Sequence, residues 1–140
     1  MSVAKSRAPW QVASAVLLTA VVVWTLAPTY PTHWEGSDGY GGTNYHSWID
    51  PLLFGYAHFH AIPTVVCAAI AAGGAWYGLA VRRTRRAPAW WALAGAIILV
   101  GWELVLSSFE WQQAVALVGL LGGAGAALLA ARGALPPLLK

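Results

Sequence analysis

The sequence predicts an all-α integral membrane protein in which four transmembrane helices form one bundle. Two observations predict this fold: the composition is 59% hydrophobic and only 9% charged, and four predominantly apolar stretches are separated by short charged patches. A helix that crosses the hydrocarbon core of a bilayer needs about 20 apolar residues. Four spans use nearly all of the 140 residues, so residues 1–140 are predicted to form a single domain.

The order of the charges predicts the orientation of the bundle. All Lys and Arg residues lie before the first stretch, between the second and third, or after the fourth, whereas all Asp and Glu residues lie near the other ends. Cytoplasmic connections of membrane proteins are rich in Lys and Arg. Both termini are therefore expected in the cytoplasm, with residues 28–50 extracytoplasmic. The topology anchors are Arg82, Arg83, Arg85 and Arg86. Richness in Ala, Gly, Leu and Arg is typical of GC-rich bacteria, which indicates a bacterial plasma membrane.

Proline and capping signals predict where the spans begin and end. The predicted spans cover residues 9–27, 62–81, 88–106 and 108–131. Pro9 suits a first helical turn, where its missing N–H costs nothing, and Pro28 ends the first span. The first span has the basic start of a signal peptide but lacks the small-x-small cleavage pattern, so it is expected to be retained. Ser107-x-x-Glu110 is a capping box at the start of the fourth span, which predicts a tight helical hairpin.

The segment between the first two spans, residues 28–61, is the longest part outside the predicted membrane core. Its first half is rich in Tyr, Trp and Gly, and the pairs at 38–39 and 41–42 are turn signals. Long unstructured segments are uncommon in compact domains, so a folded, aromatic-rich cap on the outer helix ends is predicted. Residues 51–59 are predicted to form an interfacial helix or re-entrant segment that Pro63 separates from the second span.

The other aromatic residues are predicted to form two belts. Amphipathic rings prefer the depth of lipid headgroups, and most of these residues lie near the span ends. At the inner interface we expect Trp10, Trp76, Tyr77, Trp90 and Trp91, and at the outer interface Trp24, Tyr30, Trp102 and Trp111.

All four histidines lie on the predicted outer side, together with several carboxylates. Neutral imidazole and carboxylate suit Zn²⁺ or divalent copper, so these residues form a candidate metal site. The candidate ligands are His33, Glu35, Asp38, His46, Asp50, His58, His60 and Glu103. Residues two apart on a helix point to different faces, so His58 and His60 chelate together only where Pro63 unwinds the chain. The simpler interpretation, which we favour, is that the histidines hydrogen-bond loop carbonyls at a wet interface.

Glu103 is the most informative single residue, because an ionisable group inside a span is costly and usually faces protein, water or a partner. Two interpretations stay open. In one, Glu103 is functional, either as a proton or cation site or as a partner of His58 or His60, and in the other its carboxylate reaches the outer headgroups. A bis-His haem inside one protomer is excluded unless a partner supplies a ligand, because spans one, three and four contain no histidine.

Small residues form a second pattern. Glycines separated by three residues let helix backbones approach closely. The candidate helix-packing residues are Gly74, Gly78, Gly119, Gly122 and Gly123. We favour packing of spans two and four within the chain, and an interface with a neighbouring subunit is the alternative.

The remaining signals limit the class of function. Basic residues follow the span ends rather than one soluble face, which argues against nucleic-acid binding, and the single Cys67 closes no intrachain disulfide. No catalytic triad, Walker loop or dinucleotide fingerprint is present. The sequence therefore predicts a non-enzymatic accessory or assembly subunit of a larger membrane complex, or a homo-oligomer. The alternatives are an extracytoplasmic metal-handling protein and, third, a proton- or cation-linked carrier centred on Glu103.

Overall fold

The computed structural model describes residues 8–51, 61–106 and 109–132. Within these residues the chain is mostly helical, and four helices are long and apolar enough to cross a membrane. They are α1 (Ala8–Leu26), α2 (Ile62–Ala80), α3 (Ala87–Leu106) and α4 (Trp111–Arg132). The prediction of a helical membrane protein is confirmed to this extent. Apart from Pro51, the interfacial segment predicted for residues 51–59 lies outside the described residues.

The helices form a ring in which each one packs against two others. α1 packs against α2 and α4, and α3 packs against the same two helices. The core between them is largely alanine, with Leu18 and Leu120 as its largest fully buried members. Small core residues let the backbones approach closely, which strengthens van der Waals packing where lipid provides no hydrophobic drive between helices. Large apolar side chains such as Ile97, Val105 and Val118 cover the outside of the bundle, as expected where helices contact lipid.

The two ends of the bundle differ in what lies on them. At one end α1 and α3 terminate and α2 and α4 begin, and we call it the hairpin end because a β-hairpin follows α1 there. The opposite end carries the turn between α2 and α3, residues 82–86, with its four arginines. We call it the arginine end.

A β-hairpin follows α1, so the all-α prediction is wrong in this segment. Its strands are β1 (Tyr30–Glu35) and β2 (Gly41–His46). They pair antiparallel, with Tyr30 opposite His46 and Glu35 opposite Gly41. Tyr, Trp and Thr favour strands, but Pro31 and the glycines interrupt the alternation by which a strand is identified in a sequence.

Two glycines are required by the geometry of this hairpin. Gly39, in the turn, adopts φ +79°, a left-handed conformation that costs glycine nothing. Gly42 pairs with Trp34, and a Cβ at position 42 would lie 3.0–3.1 Å from atoms of the indole ring. The turn is closed by the Gly36 N–H, which donates to the carbonyl of Tyr40 at 2.6 Å.

Hydrogen bonds attach the hairpin segment to the C-terminus of α1, where the last carbonyls lack partners within the helix. The backbone N–H of Trp48 donates to the carbonyl of Thr25 at 2.9 Å. The hydroxyl of Thr29 donates to the carbonyl of Trp24 at 2.8 Å, and the indole N–H of Trp48 donates to Thr29 Oγ1 at 3.1 Å. The chain that leaves α1 therefore returns to cap it.

α2 and α4 begin in different ways, α2 with a proline and α4 with a side-chain cap. Pro63 lies in the first turn of α2, where proline is tolerated. α4 begins at Trp111, slightly later than predicted, and the Glu110 N–H donates to Gln113 Oε1 at 3.1 Å. This bond is one half of a capping box with Glu110 at the N-cap. Ser107, the predicted cap, lies outside the described residues.

The turn between α2 and α3 holds a non-glycine residue in a left-handed conformation. Arg82 has φ 54°. The Arg82 N–H donates to the carbonyl of Leu79 at 3.1 Å, and the Arg83 N–H donates to the carbonyl of Gly78 at 2.9 Å. These two bonds form a Schellman motif, in which the left-handed position is usually glycine.

We expect Arg82→Gly to raise the free energy of unfolding by roughly 0.5–1 kcal/mol, because the steric cost of a left-handed side chain exceeds the entropy that glycine adds to the unfolded chain. SDS titration of the purified protein in detergent measures this change. Arg86→Gly is the matched control, since it removes the same charge from the same turn without relieving a left-handed residue, and it should give no gain. A loss of stability with Arg82→Gly would contradict the expectation.

Candidate functional site at the hairpin end

Buried polar side chains are concentrated at the hairpin end of the bundle. There the fully buried polar residues are Thr25, Thr64, Glu103, Gln112 and Gln113. Among the described residues the other buried polar side chain is Ser14, in the half of α1 toward the arginine end, where its hydroxyl donates to the carbonyl of Gly123 at 2.9 Å. Polar groups buried in a membrane protein require protein partners. We therefore take the five as the candidate site.

Glu103 is the one ionisable group among these five residues. Its side chain is 0% exposed, so the interpretation in which the carboxylate reaches the headgroups is wrong. The Tyr30 hydroxyl donates to Glu103 Oε1 at 3.3 Å, and the Gln113 side chain also hydrogen-bonds to Tyr30. Strand β1 thus supplies a partner for a carboxyl on the last turns of α3. The proposed pairing of Glu103 with His58 or His60 falls outside the described residues.

Tyr30 and Trp48 form the apolar wall beside this carboxyl. Both rings are buried, and they meet edge to face with centroids 5.3 Å apart. The sequence-based prediction that Tyr30 belongs to the outer aromatic belt is therefore wrong, because its ring lies in the interior. Ala61, Val65, Leu99 and Ala116 complete the apolar cluster around the two rings. The hairpin segment, α2, α3 and α4 contribute buried residues to it, and Trp24 of α1 packs against it, which makes this end one packed unit.

Burial of the phenol and the adjacent Glu103 carboxyl both raise the pKa of Tyr30 above its ordinary value of 10. Burial is the larger cause, because removal of water penalises the charged phenolate. The neutral phenol therefore stabilises the folded state fully below the pKa of the unfolded chain, near pH 10. That contribution is lost progressively as the pH rises above this value.

We expect Tyr30→Phe to lower the free energy of unfolding by about 1–3 kcal/mol at pH 7, because Glu103 loses a buried hydrogen-bond donor. The difference in free energy of unfolding between wild type and variant should shrink between pH 9 and pH 11. In this range the Tyr30 phenol of the wild type loses its proton when the chain unfolds, which favours the unfolded state, and the variant has no such phenol. SDS titrations at several pH values measure it. Tyr40→Phe, at an exposed tyrosine, is the control and should keep the pH dependence of wild type. A constant difference across the range would contradict the assignment.

Two buried oxygens at this end have no hydrogen-bond partner within the described part of the chain, Thr64 Oγ1 and Gln112 Oε1. The main-chain carbonyl of Gln112 is occupied, because it accepts the indole N–H of Trp24 at 3.2 Å. Buried oxygens of this kind usually bind ordered water or an ion. Together with the Glu103 carboxyl they give the hairpin end the chemistry to hold a proton or water.

The described candidate metal ligands lie in separate contacts rather than in one group. His33 Nε2 lies 2.5 Å from Glu110 Oε1, and His46 Nδ1 lies 3.5 Å from Asp50 Oδ2. Asp38 Oδ1 accepts the N–H of Tyr40 at 3.4 Å. Among the described residues no three His, Cys, Asp or Glu side chains form a metal site. Because His58 and His60 lie outside the described residues, metal binding through them stays a prediction, as does a role for Glu35.

Asp50 has a structural role that its sequence position could have revealed. Its carboxylate accepts the hydroxyl of Ser47 at 2.5 Å and the backbone N–H of Ser47 at 3.1 Å. Ser47-x-x-Asp50 is the sequence pattern of a capping box. From the sequence, Asp50 was predicted as a candidate metal ligand, and this capping pattern was not identified. The burial of Gln112 and Gln113 was not predicted either, although two adjacent amides at the start of an apolar span are a signal of buried polar contacts.

The predicted helix-packing glycines all face other parts of the same chain. Gly119, Gly122 and Gly123 lie against α1, where an added Cβ would meet Val21, Leu17 and Leu18 respectively. Their partner is thus span one and not span two. On α2, a Cβ at Gly74 would lie 3.3 Å from Pro88, and one at Gly78 would lie 2.9 Å from the carbonyl oxygen of Arg83. The close approaches that these glycines allow are therefore used inside the bundle.

The hairpin presents aromatic side chains on its outside. Tyr40 is 76% exposed, Tyr45 54% and Trp34 49%. The acidic residues Glu35 and Asp38 are exposed next to them, and residues 28–50 contain no Lys or Arg. The hairpin thus combines an attached base with an exposed surface that is both aromatic and acidic.

Comparisons with known proteins assign no family to this chain. No protein-family model matches it, and no curated protein or solved structure is significantly similar to it. The function is therefore inferred from the contacts, burial and charges of the molecule itself.

Proposed function

We propose that this protein is a non-enzymatic subunit of a larger membrane assembly and that its hairpin binds the partner. The observation that carries the proposal is the exposure of Trp34, Tyr40 and Tyr45 on a hairpin whose base is attached to the bundle. Exposed aromatic residues are enriched in protein–protein interfaces. Their rigid attachment through Tyr30 and Trp48 lowers the entropy lost on binding. In this proposal the hairpin lies outside the cytoplasm, because the arginines lie at the opposite end.

The charge of the hairpin favours a protein partner over lipid headgroups. Glu35 and Asp38 flank the aromatic surface, and carboxylates are repelled by anionic membranes. Tyr40 lies in the turn of the hairpin, at the end opposite Tyr30 and His46. It is the most exposed of the three aromatic residues. The partner we infer is a membrane protein whose extracytoplasmic surface carries Lys or Arg around an apolar recess, since opposite charge steers association.

The small-residue faces give no separate support for self-association. Gly119, Gly123 and their neighbours contact α1 of the same chain, so these helix surfaces are already occupied. The proposal therefore depends on the hairpin surface rather than on glycine-mediated contacts between subunits.

Blue-native electrophoresis of native membranes in mild detergent tests the proposal. Wild type should migrate well above the monomer mass, and Tyr40→Ala/Tyr45→Ala should shift it toward the monomer. Ser37→Ala/Asn44→Ala is the matched control, because both residues are exposed on the same hairpin, and it should migrate as wild type. A wild-type protein that is a stable, functional monomer would exclude the proposal, as would equal migration of both double variants.

A second candidate function is proton- or cation-linked transport centred on Glu103. Its support is the complete burial of that carboxyl beside Tyr30, since ionisable groups inside membrane bundles often lie on ion pathways. Purified protein in liposomes with an internal pH-sensitive dye measures proton flux. Glu103→Gln keeps the shape of the side chain and should abolish a flux that the wild type carries. Flux that is insensitive to this substitution would exclude the idea.

A further inference from the structure

A small open recess lies at the arginine end of the bundle, and its interior volume of about 20 Å³ is roughly that of one water molecule. Its polar lining residues are Gln11, Ser14, Arg83, Thr84 and Arg85. The rest of the lining is small residues of α2 and α4 together with Pro88, which leave space that larger side chains would fill. The recess is remote from the hairpin, so its function is independent of the one proposed above.

The charges around this recess are uncompensated. All five acidic residues of the chain lie near the hairpin end, and within the described residues no arginine pairs with a carboxylate. The Arg85 guanidinium lies 5.2 Å from the centre of the Tyr77 ring, a cation–π contact that leaves its N–H donors available. Guanidinium groups bind phosphate through two parallel hydrogen bonds. An anion with several oxygens therefore fits the lining.

The polar residues supply further donors. Ser14 already donates its hydroxyl to the carbonyl of Gly123, which leaves the Thr84 hydroxyl and the Gln11 amide as neutral donors beside the guanidinium groups. The Schellman bonds of Arg82 and Arg83 hold the turn in one conformation. As a result Arg83 and Arg85 line the recess, whereas Arg82 and Arg86 belong to the same turn but do not line it.

The aromatic residues at this end indicate the depth at which the recess lies. Exposed rings surround the arginine end, and they are Trp10, Trp76, Tyr77, Trp90 and Trp91. Exposed Trp and Tyr side chains concentrate at the depth of lipid headgroups. At that depth, the phosphate oxygens that reach the recess belong to membrane lipids.

We propose that the mouth of this recess binds the phosphodiester of one anionic phospholipid, with Arg83 and Arg85 as the charged donors and Thr84 and Gln11 as neutral ones. The site distinguishes phosphatidylglycerol from phosphatidylcholine because the choline cation is repelled by the two guanidinium groups. The same turn that orients the protein thereby carries a specific lipid site, beyond the general attraction of its charges to an anionic surface.

Native mass spectrometry of the full chain, delipidated in detergent, tests this site with phosphatidylglycerol as the probe. The wild type should bind one molecule at least about tenfold more tightly than phosphatidylcholine. Arg83→Gln/Arg85→Gln should lose this preference, and Arg83→Lys/Arg85→Lys should regain part of it. Arg82→Gln/Arg86→Gln, with the same net charge as the first variant, should keep most of the preference. Equal losses in the two glutamine variants would overturn the proposal, because they would show diffuse attraction only.

The wild-type protein alone provides a second test that needs no variant to fold. Its Tm should rise on addition of phosphatidylglycerol and stay unchanged with phosphatidylcholine or with the same concentration of inorganic phosphate. No rise with phosphatidylglycerol would overturn the site. A rise of equal size with inorganic phosphate would overturn the assignment to a lipid.

Discussion

Replacing Trp48 with alanine is expected to lower the free energy of unfolding by about 3–5 kcal/mol. The indole is 1% exposed and packs against the ring of Tyr30. Its truncation leaves a cavity where β1, α2 and α3 meet, and it removes the donor to Thr29 Oγ1. Thr29 in turn caps α1, so one substitution weakens both the packing and the cap.

SDS titration in detergent, followed by circular dichroism, measures this effect. Trp34→Ala is the matched control, because it truncates the same type of side chain at a position where the indole is half exposed. It should lower the free energy of unfolding by less than about 1 kcal/mol. Trp48→Phe should lie between the two, since it keeps much of the apolar volume and loses the N–H donor. Equal effects of Trp48→Ala and Trp34→Ala would contradict the anchoring role.

The double variant Gly119→Ala/Gly123→Ala is expected to lower the free energy of unfolding by about 2–5 kcal/mol, from overpacking of the contact between α1 and α4. A Cβ at position 123 would lie 2.6 Å from Cγ and Cδ2 of Leu18, and one at position 119 would overlap Val21. Leu18 and Val21 are buried and cannot move aside without separating the two helices. The helix propensity gained by alanine, about 1 kcal/mol per site, offsets only part of this cost.

Gly125→Ala provides the control on the same helix. A Cβ there meets nothing within 4 Å, so this substitution should stabilise α4 by up to about 1 kcal/mol. The same SDS titration applied to both variants compares a packed glycine with an unpacked one. If Gly119→Ala/Gly123→Ala were as stable as wild type, the close packing of α1 on α4 would be refuted.

The candidate site could be predicted only in part. Glu103 was identified because a carboxyl in an apolar span is unusual in any fold. Its partner Tyr30 was assigned to a lipid-facing belt, since the two residues are 73 positions apart in the chain and nothing local indicates their contact. His33 likewise was considered with Glu35 and Asp38, its neighbours in sequence, whereas the structure places it against Glu110.

The sequence by itself determined the four helices, because length and apolarity are local properties that decide whether a segment is stable in hydrocarbon. It also determined the order of the charged patches along the chain. The tertiary structure alone decided that residues 30–46 form a hairpin, that the glycines of α4 pack on α1, and that Glu103 is buried under Tyr30. Each of these features depends on contacts between residues that are distant in the chain. Such contacts stabilise the structure only after packing has brought the distant segments together and the entropy of closing the intervening loops has been lost.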